Sequence, residues 1–474
     1  MTDMRIRWAN ALKRVVFIQL ALLFLAAATV PARSGEEQRS TSIRQTVDAI
    51  IQALMAKDHI PGMAVAVADG GKAYVFNYGV ASVNPRVPVN DDTLFELGSV
   101  TKIFTATLAS WAQVQHRLSL GERTAKYLPA LRGTPFGNVS LLSLGTHTPG
   151  GIALQFPDDL TNDAQLMRYF HQWRPTYPVG TYRTYSNQGI GLLGFIVAKS
   201  MGEDFHSLME RRLFPALGLH HSFISIPKSK RADYAWGYTD ENAPIRMRAG
   251  MLSDETYGIR TTAADMIRFV QENIDPSGLP ASIREAITQT HTGYFHAGPM
   301  TQDLIWEQYS YPVAQPSLLD GNSYRMIFRP TPVKRMAPPQ PPMQSAWLNK
   351  TGSTNGFAAY VAFIPLKKLG VVMLANKNYP IPDRVIAAYK ILSALTPGTH
   401  SQVNPTAVQR RVGASGADRE LGLGIAAFPP YSARLLQMAT GLELRHDEAA
   451  RGLGIGRRCR WRGSSGDYGL LHGT

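Results

Sequence analysis

Phe95-Glu96-Leu97-Gly98-Ser99-Val100-Thr101-Lys102 sets a serine and a lysine three positions apart, where an apolar run passes into a helical pattern over Val100–Val114. Residues three apart on a helix share a face, so the Lys102 amine can lie beside the Ser99 hydroxyl. A serine hydroxyl is a poor nucleophile until a base removes its proton. A neighbouring lysine can serve once burial or other cations lower its own pKa. The start of a helix also offers free N–H groups to a developing oxyanion. Alone, Ser-x-x-Lys is a weak signal in a chain of 474 residues. A second copy, Ser225-Ile226-Pro227-Lys228, carries a proline that spoils a helix interior.

Outward from this stretch, the apolar periodicity predicts a helix over 42–58, with Ile43, Val47, Ile50, Ile51, Leu54 and Met55 on one side. Gly62–Ala68 and Lys72–Val80 flank Asp69-Gly70-Gly71 and read as a β-hairpin. Residues 116–185 are rich in turn signals, hold no long strand pattern, and are expected to be mostly helical. Asn187–Met201, Phe205–Leu217 and Thr261–Asn273 read as helices. Pro330–Pro342, with six prolines, reads as an ordered loop. Strand signals return at Ala346–Lys350, Gly356–Pro365 and Gly370–Ala375, and Arg384–Leu395 closes as a helix. Strands at both ends with helices between them predict an α/β fold. Its antiparallel sheet is built from both chain ends and flanked by helices, with an all-helical domain inserted. The expected division is 40–115 and 186–396 for the α/β domain and 116–185 for the helical one.

Two further elements sharpen the chemistry. Tyr185-Ser186-Asn187 lies just before a predicted helix, and Lys350-Thr351-Gly352 lies on a strand that turns at Ser353-Thr354-Asn355. Ser-x-x-Lys, Tyr-x-Asn and Lys-Thr-Gly in this order resemble the penicillin-recognising serine enzymes. Tyr-Ser-Asn in the middle, where class A enzymes have Ser-Asp-Asn, points to the class C beta-lactamases and related peptidases and esterases. Ile60-Pro61-Gly62-Met63-Ala64-Val65-Ala66-Val67, Gly356-Phe357 through Pro365, and Met373–Pro380 extend the similarity to class C cephalosporinases over about residues 42–396.

The resemblance implies roles. Ser99 is the nucleophile, and Lys102 and Tyr185 share the proton work. Two ammonium groups, Lys102 and Lys350, stabilise the Tyr185 phenolate or let it shuttle protons. The N–H groups of Ser99 and Ser353 form the oxyanion hole, Ser353 following Gly352 on the strand. Asn187 and Gln155 bind the substrate's amide side chain, and Tyr257 lines the pocket wall. Lys350, Thr351 and Asn378 face the substrate carboxylate. No metal or organic cofactor is implied. The expected reaction is hydrolysis of cephalosporins and penicillins through an acyl-enzyme. The rivals are a D-alanyl-D-alanine carboxypeptidase or esterase of the same superfamily, and a catalytically dead binding module. Three residues depart from the family pattern: Thr101 for Ser or Ala, Ala358 for Gly, and Ile381 for an asparagine near the carboxylate. If position 358 needs a positive φ, alanine there costs about 1 kcal/mol.

Composition fits these readings. With 44% hydrophobic and 18% charged residues the chain can bury a core, and one cysteine excludes an internal disulfide framework. The net charge is +14. Residues 1–33 and 400–474 each contribute +4, which leaves about +6 for the body, with no basic stripe for nucleic acid. A mild positive field favours an anionic small substrate. Basic residues up to Arg14, an apolar run over Val15–Val30 and Val30-Pro31-Ala32 read as an export signal over 1–32. The mature protein is therefore expected in the periplasm, as a monomer with no membrane insertion. Residues 397–474 are rich in Gly and Arg, carry Cys459, and read as a disordered tail, with a partner-binding or surface-tethering arm as the alternative. His220-His221 lacks a third ligand at metal spacing. Asp158 and Asp159 read as a solvated turn rather than a glycosidase pair.

Overall fold

The computed structural model describes residues 35–396. The chain opens with helix α1 (Gly35–Asp58), whose Ile43, Val47, Ile51 and Leu54 are buried. Strands β1 (Gly62–Asp69) and β2 (Lys72–Ser82) form the expected hairpin. Gly70 and Gly71 both have positive φ, which suits a two-residue turn matched to the strand twist.

Further along come α2 (Thr101–Val114), α3 (Asp163–Gln172), α4 (Asn187–Met201), α5 (Ala263–Ile274) and α6 (Ala281–Thr290). Strands β3 (Gly293–Ala297), β4 (Met300–Gln302), β5 (Glu307–Ser310), β6 (Thr331–Gln340), β7 (Ala346–Ser353), β8 (Ala358–Ile364) and β9 (Leu369–Ala375) follow, and α7 (Ile381–Leu395) closes. The described residues form an eleven-stranded antiparallel sheet in the order β2-β1-β9-β8-β7-β5-β4-β3-β6, with Val87–Pro88 outside β2 and Tyr182–Arg183 outside β6. The sheet is assembled from both ends of this region: β1 pairs with β9 in the register Met63↔Ala375 to Asp69↔Leu369.

The period-two alternation of the central strands sorts side chains into two cores. Ala64, Ala66, Val361, Phe363, Val372 and Leu374 face one, with α2 and α5. Met63, Val65, Val67, Tyr360, Val371 and Met373 face the other, with α1 and α7. Strands buried on both faces read as continuous apolar runs, which is why β1, β8 and β9 stand out in the sequence.

Two expectations need correction. Residues 116–185 hold short helices, of which α3 is the longest, and much of the rest is turn and loop. The turn signals of this segment outweigh its helical ones. Pro330–Pro342 contains β6 rather than a loop. The register of β6 on β3 shifts between Arg335 and Gln340, and Pro338 and Pro339 fall inside that irregularity, where no ladder N–H is needed. Phe205–Leu217 is helical as expected, with a wider π-type stretch over Leu208–Leu213. Residues 1–32 and 397–474, read as a signal and a tail, lie outside the described residues.

Candidate active site

Ser99 sits on a single 3-10 turn, Gly98–Val100, that runs directly into α2. That helix is buried over most of its circumference, and the lysine on its first turn is fully buried. The Lys102 Nζ donates to Ser99 Oγ at 2.8 Å and to the Thr256 carbonyl at 3.0 Å. Burial lowers the Lys102 ammonium, and Lys350 pushes it the same way against the opposing pull of Tyr185, leaving it at about 8. An amine in that range is neutral often enough near neutral pH to act as a base.

Tyr185 lies at the convergence of three cations. Lys350 Nζ, Lys102 Nζ and the Arg183 guanidinium stand 5.0, 5.3 and 5.4 Å from its ring centre. Burial works to raise the Tyr185 phenol. The charges of Lys102 and Lys350 and the adjacent Ser99 hydroxyl outweigh it and bring the phenol down to about 8. Its Oη is buried with no complete hydrogen bond, and such bonds commonly tighten only when substrate binds. His147 packs on the Tyr185 ring at 4.5 Å between centres, and its Nδ1 accepts the Ser186 N–H. Burial, then the charges of Arg183, Lys102 and Lys350, hold His147 neutral.

Lys350 and Thr351 lie on β7 beyond the point where β5 stops pairing at Glu307↔Asn349, so that edge of the strand opens toward Ser99. Two glycines allow the approach. A Cβ on Gly98, whose φ is +53°, would meet Ser353 N and O at 2.6 Å, and one on Gly352 would sit 2.0 Å from the Leu97 carbonyl oxygen. The backbones of 97–100 and 352–353 are therefore in direct contact, which brings the Ser99 and Ser353 peptides together. Lys350 Nζ donates to the Thr351 carbonyl at 3.1 Å and lies 3.8 Å from Glu307 Oε1.

The residues expected on the substrate side lie in three places. Segment 153–155 is laid along the start of α4: Ser186 Oγ donates to the Ala153 carbonyl, Asn187 N–H to Leu154, and Gln188 Nε2 to Gln155. This places exposed Gln155 beside Asn187, whose Oδ1 is buried without a hydrogen bond. Tyr257 follows Thr256, the residue whose carbonyl holds Lys102, and is half-buried. Asn378, after β9, accepts from Arg384 at 2.6 Å.

Sequence reasoning missed the charged frame behind the motifs. Arg183 is buried and donates to Gln302 Oε1, the Met326 carbonyl and Glu307 Oε1. Glu307 also accepts from Asn349. Arg384 is fully buried under β7. The three departures resolve physically. Thr101 points away from the site and its Oγ1 accepts the Ile259 N–H at 3.2 Å. Ala358 is ordinary strand, outside the positive-φ residues, and pairs with Ser353 and Ala375. Ile381 is buried in the core shared by α1 and α7. Ser225 and Lys228 are exposed, as are Asp158, Asp159 and His220. Among the described residues no three His, Cys, Asp or Glu side chains are grouped to hold a metal, and no helix is long and apolar enough to cross a membrane.

Comparison with known proteins matches residues 47–396 to the Beta-lactamase family. A beta-lactamase of Pseudomonas fluorescens is 48% identical over 356 residues, covering 75% of this chain and 99% of that one. A class C beta-lactamase solved in complex with cefoxitin aligns with a TM-score of 0.73 and 50% identity, over 75% of this chain and 99% of that one. A D-alanine carboxypeptidase from Burkholderia cenocepacia aligns with a TM-score of 0.72 and 54% identity, over 74% and 99%.

Proposed function

Because the chain belongs to the beta-lactamase family, we propose that its chemistry runs through an acyl-enzyme on Ser99, with cephalosporins and penicillins as substrates. It is a class C serine beta-lactamase, a hydrolase that opens the lactam ring. In the proposed path Ser99 Oγ attacks the lactam carbonyl carbon. The C–N bond breaks, and the serine proton passes through Lys102 and Tyr185 to the leaving nitrogen. Water then adds to the ester carbonyl carbon, the C–O bond to Ser99 breaks, and a proton from that water restores the Ser99 hydroxyl. The Ser99 and Ser353 N–H groups hold the oxyanion of both steps. Gln155, Asn187 and Tyr257 take the amide side, and Lys350, Thr351 and Asn378 take the carboxylate. The observation that supports this best is the 2.8 Å contact of Lys102 with Ser99 inside a cluster of buried cations. On this reading the site lies where the α/β part, 40–115 and 186–396, meets the inserted segment 116–185. Export through residues 1–32 would place the mature enzyme in the periplasm, as a monomer.

The test mixes the full chain with a chromogenic cephalosporin and follows ring opening and intact mass together. Repeated turnover with little adduct is expected, and Ser99→Ala should lose on the order of 10⁶ in kcat. Substantial turnover by Ser99→Ala would sink the mechanism. A second reading, a D-alanine carboxypeptidase, is favoured by the Burkholderia neighbour. It predicts one equivalent of ring opening and a lasting adduct.

A further inference from the structure

We infer that Arg384 is a positioning residue for the oxyanion site, holding and polarising the peptide that presents the Ser353 N–H. The inference rests on the reading that Ser99 is acylated and that Ser353 N–H stabilises the oxyanion. Arg384 lies on the first turn of α7 and is fully buried. Its Nη1 donates to the Gly352 carbonyl at 2.7 Å and to Ser353 Oγ at 2.9 Å. Its Nη2 donates to Asn378 Oδ1 at 2.6 Å, and its Nε to the Tyr379 carbonyl at 3.0 Å.

The Gly352 C=O and the Ser353 N–H belong to one planar trans peptide, so they point in opposite directions and share one delocalised electron system. A guanidinium on the oxygen draws density toward it and leaves the N–H more positive. Charge-assisted hydrogen bonds are the stronger kind, and linked bonds polarise one another. Fixing the carbonyl also fixes the direction of the N–H, which is what a preorganised oxyanion donor requires. The other side of this peptide is closed by backbone: Gly352 has no room for a Cβ against the Leu97 carbonyl, and Gly98 has none against Ser353. The peptide is thus clamped between the Ser99 turn and the Arg384 charge. The same guanidinium can only donate, so it must face Oδ1 of Asn378 and leave the Asn378 NH₂ to point elsewhere. One buried cation sets both the oxyanion peptide and the amide proposed for the substrate carboxylate.

The test compares the full chain with Arg384→Gln, Arg384→Lys and Asn378→Ala, each first checked by circular dichroism and melting. Two readouts isolate the oxyanion site. One is the infrared carbonyl stretch of the acyl-enzyme made with a slow, carbonyl-labelled lactam. The other is affinity for an aryl boronic acid that lacks a carboxylate, whose boron adds Ser99 Oγ to form a tetrahedral adduct. Losing a whole oxyanion donor costs about 10²–10³ in rate, so weakening one should cost about tenfold in boronate affinity. Arg384→Gln should show that loss and move the stretch to higher wavenumber. Arg384→Lys should fall between, because one ammonium cannot reproduce the fork. Asn378→Ala should raise KM for the lactam and leave both readouts in place. Unmodified values in Arg384→Gln overturn the inference. If that variant does not fold, unmodified values in Arg384→Lys do so, and equal shifts in Asn378→Ala do so as well. If the unmodified chain forms no adduct at all, the acyl-enzyme reading fails first and the inference falls with it.

Discussion

Tyr185 shows how a buried phenol becomes acidic. Burial alone would hold its proton, as it does for Tyr360 and Tyr379, both raised well above the ordinary tyrosine value. At Tyr185 the Lys102 and Lys350 charges reverse that outcome, and Lys102 and Tyr185 are both brought down to about 8. On the proposed mechanism, this pair takes the Ser99 proton only after it has itself lost one. The acylation rate should therefore rise with pH from 6 and level off above about 8. Lys350 lowers both partners, so Lys350→Gln should move this limb to higher pH by about one unit as well as slowing acylation. Stopped-flow acylation from pH 6 to 10 measures it. Glu255→Gln is the control, because burial raises the Glu255 carboxyl to about 8, in the same range and one residue from Thr256. A limb that stays put in Lys350→Gln would confine Lys350 to the substrate carboxylate.

At the scale of elements, the site depends on how closely β7 approaches the Ser99 turn. Gly352→Ala would place a methyl 2.0 Å from the Leu97 carbonyl oxygen, and backbone on both sides cannot yield cheaply. Overpacking of this kind costs about 1–3 kcal/mol. On the proposed mechanism, the Ser99 and Ser353 peptides would also be pushed apart, at a cost of about 10²-fold or more in acylation. Gly278→Ala meets nothing within 4 Å and should leave both melting and rate unchanged. A Gly352→Ala enzyme with full activity would mean that Leu97–Val100 and Gly352–Ser353 need not touch. The elements that carry this contact were legible in the sequence because β1, β8 and β9 are apolar on both faces, and because Ser99, Lys102, Tyr185 and Lys350 sit in spaced motifs. The strands β3 to β6 were not. They are short, polar or proline-bearing, and only their pairing outward from β7, through β5, β4 and β3 to β6, makes them sheet. Arg183, Glu307, His147 and Arg384 were equally silent, since a buried charge looks like a surface charge until the fold supplies its partners.

At the scale of the whole molecule, the described region is closed by its own ends. β1 is flanked by β2 and β9, and α1 packs on α7, so the first and last elements share one core. Ile381, Val385, Ile391, Leu392 and Leu395 of α7 are all buried. At about 1.5–3 kcal/mol for each such side chain, α7 contributes roughly 8–15 kcal/mol of burial, as much as the whole net stability of a typical domain. The family match ends at residue 396, at the end of this core. A chain ended after Thr396 should therefore keep its melting temperature within about 2 °C, which in a chain this long corresponds to about 1.5 kcal/mol. Its kcat/KM for a cephalosporin should match the full chain. A chain ended after Pro380 should not fold. Both are read by melting curves and by ring opening at fixed enzyme concentration. Lost activity after truncation at Thr396 would show that residues 397–474 support the catalytic core, which would overturn the division drawn at Thr396. Equal activity would place the +4 carried by residues 400–474 outside the chemistry, so that the electrostatic pull on an anionic lactam comes from the body, through Lys102, Lys350 and Arg183 around the Tyr185 ring.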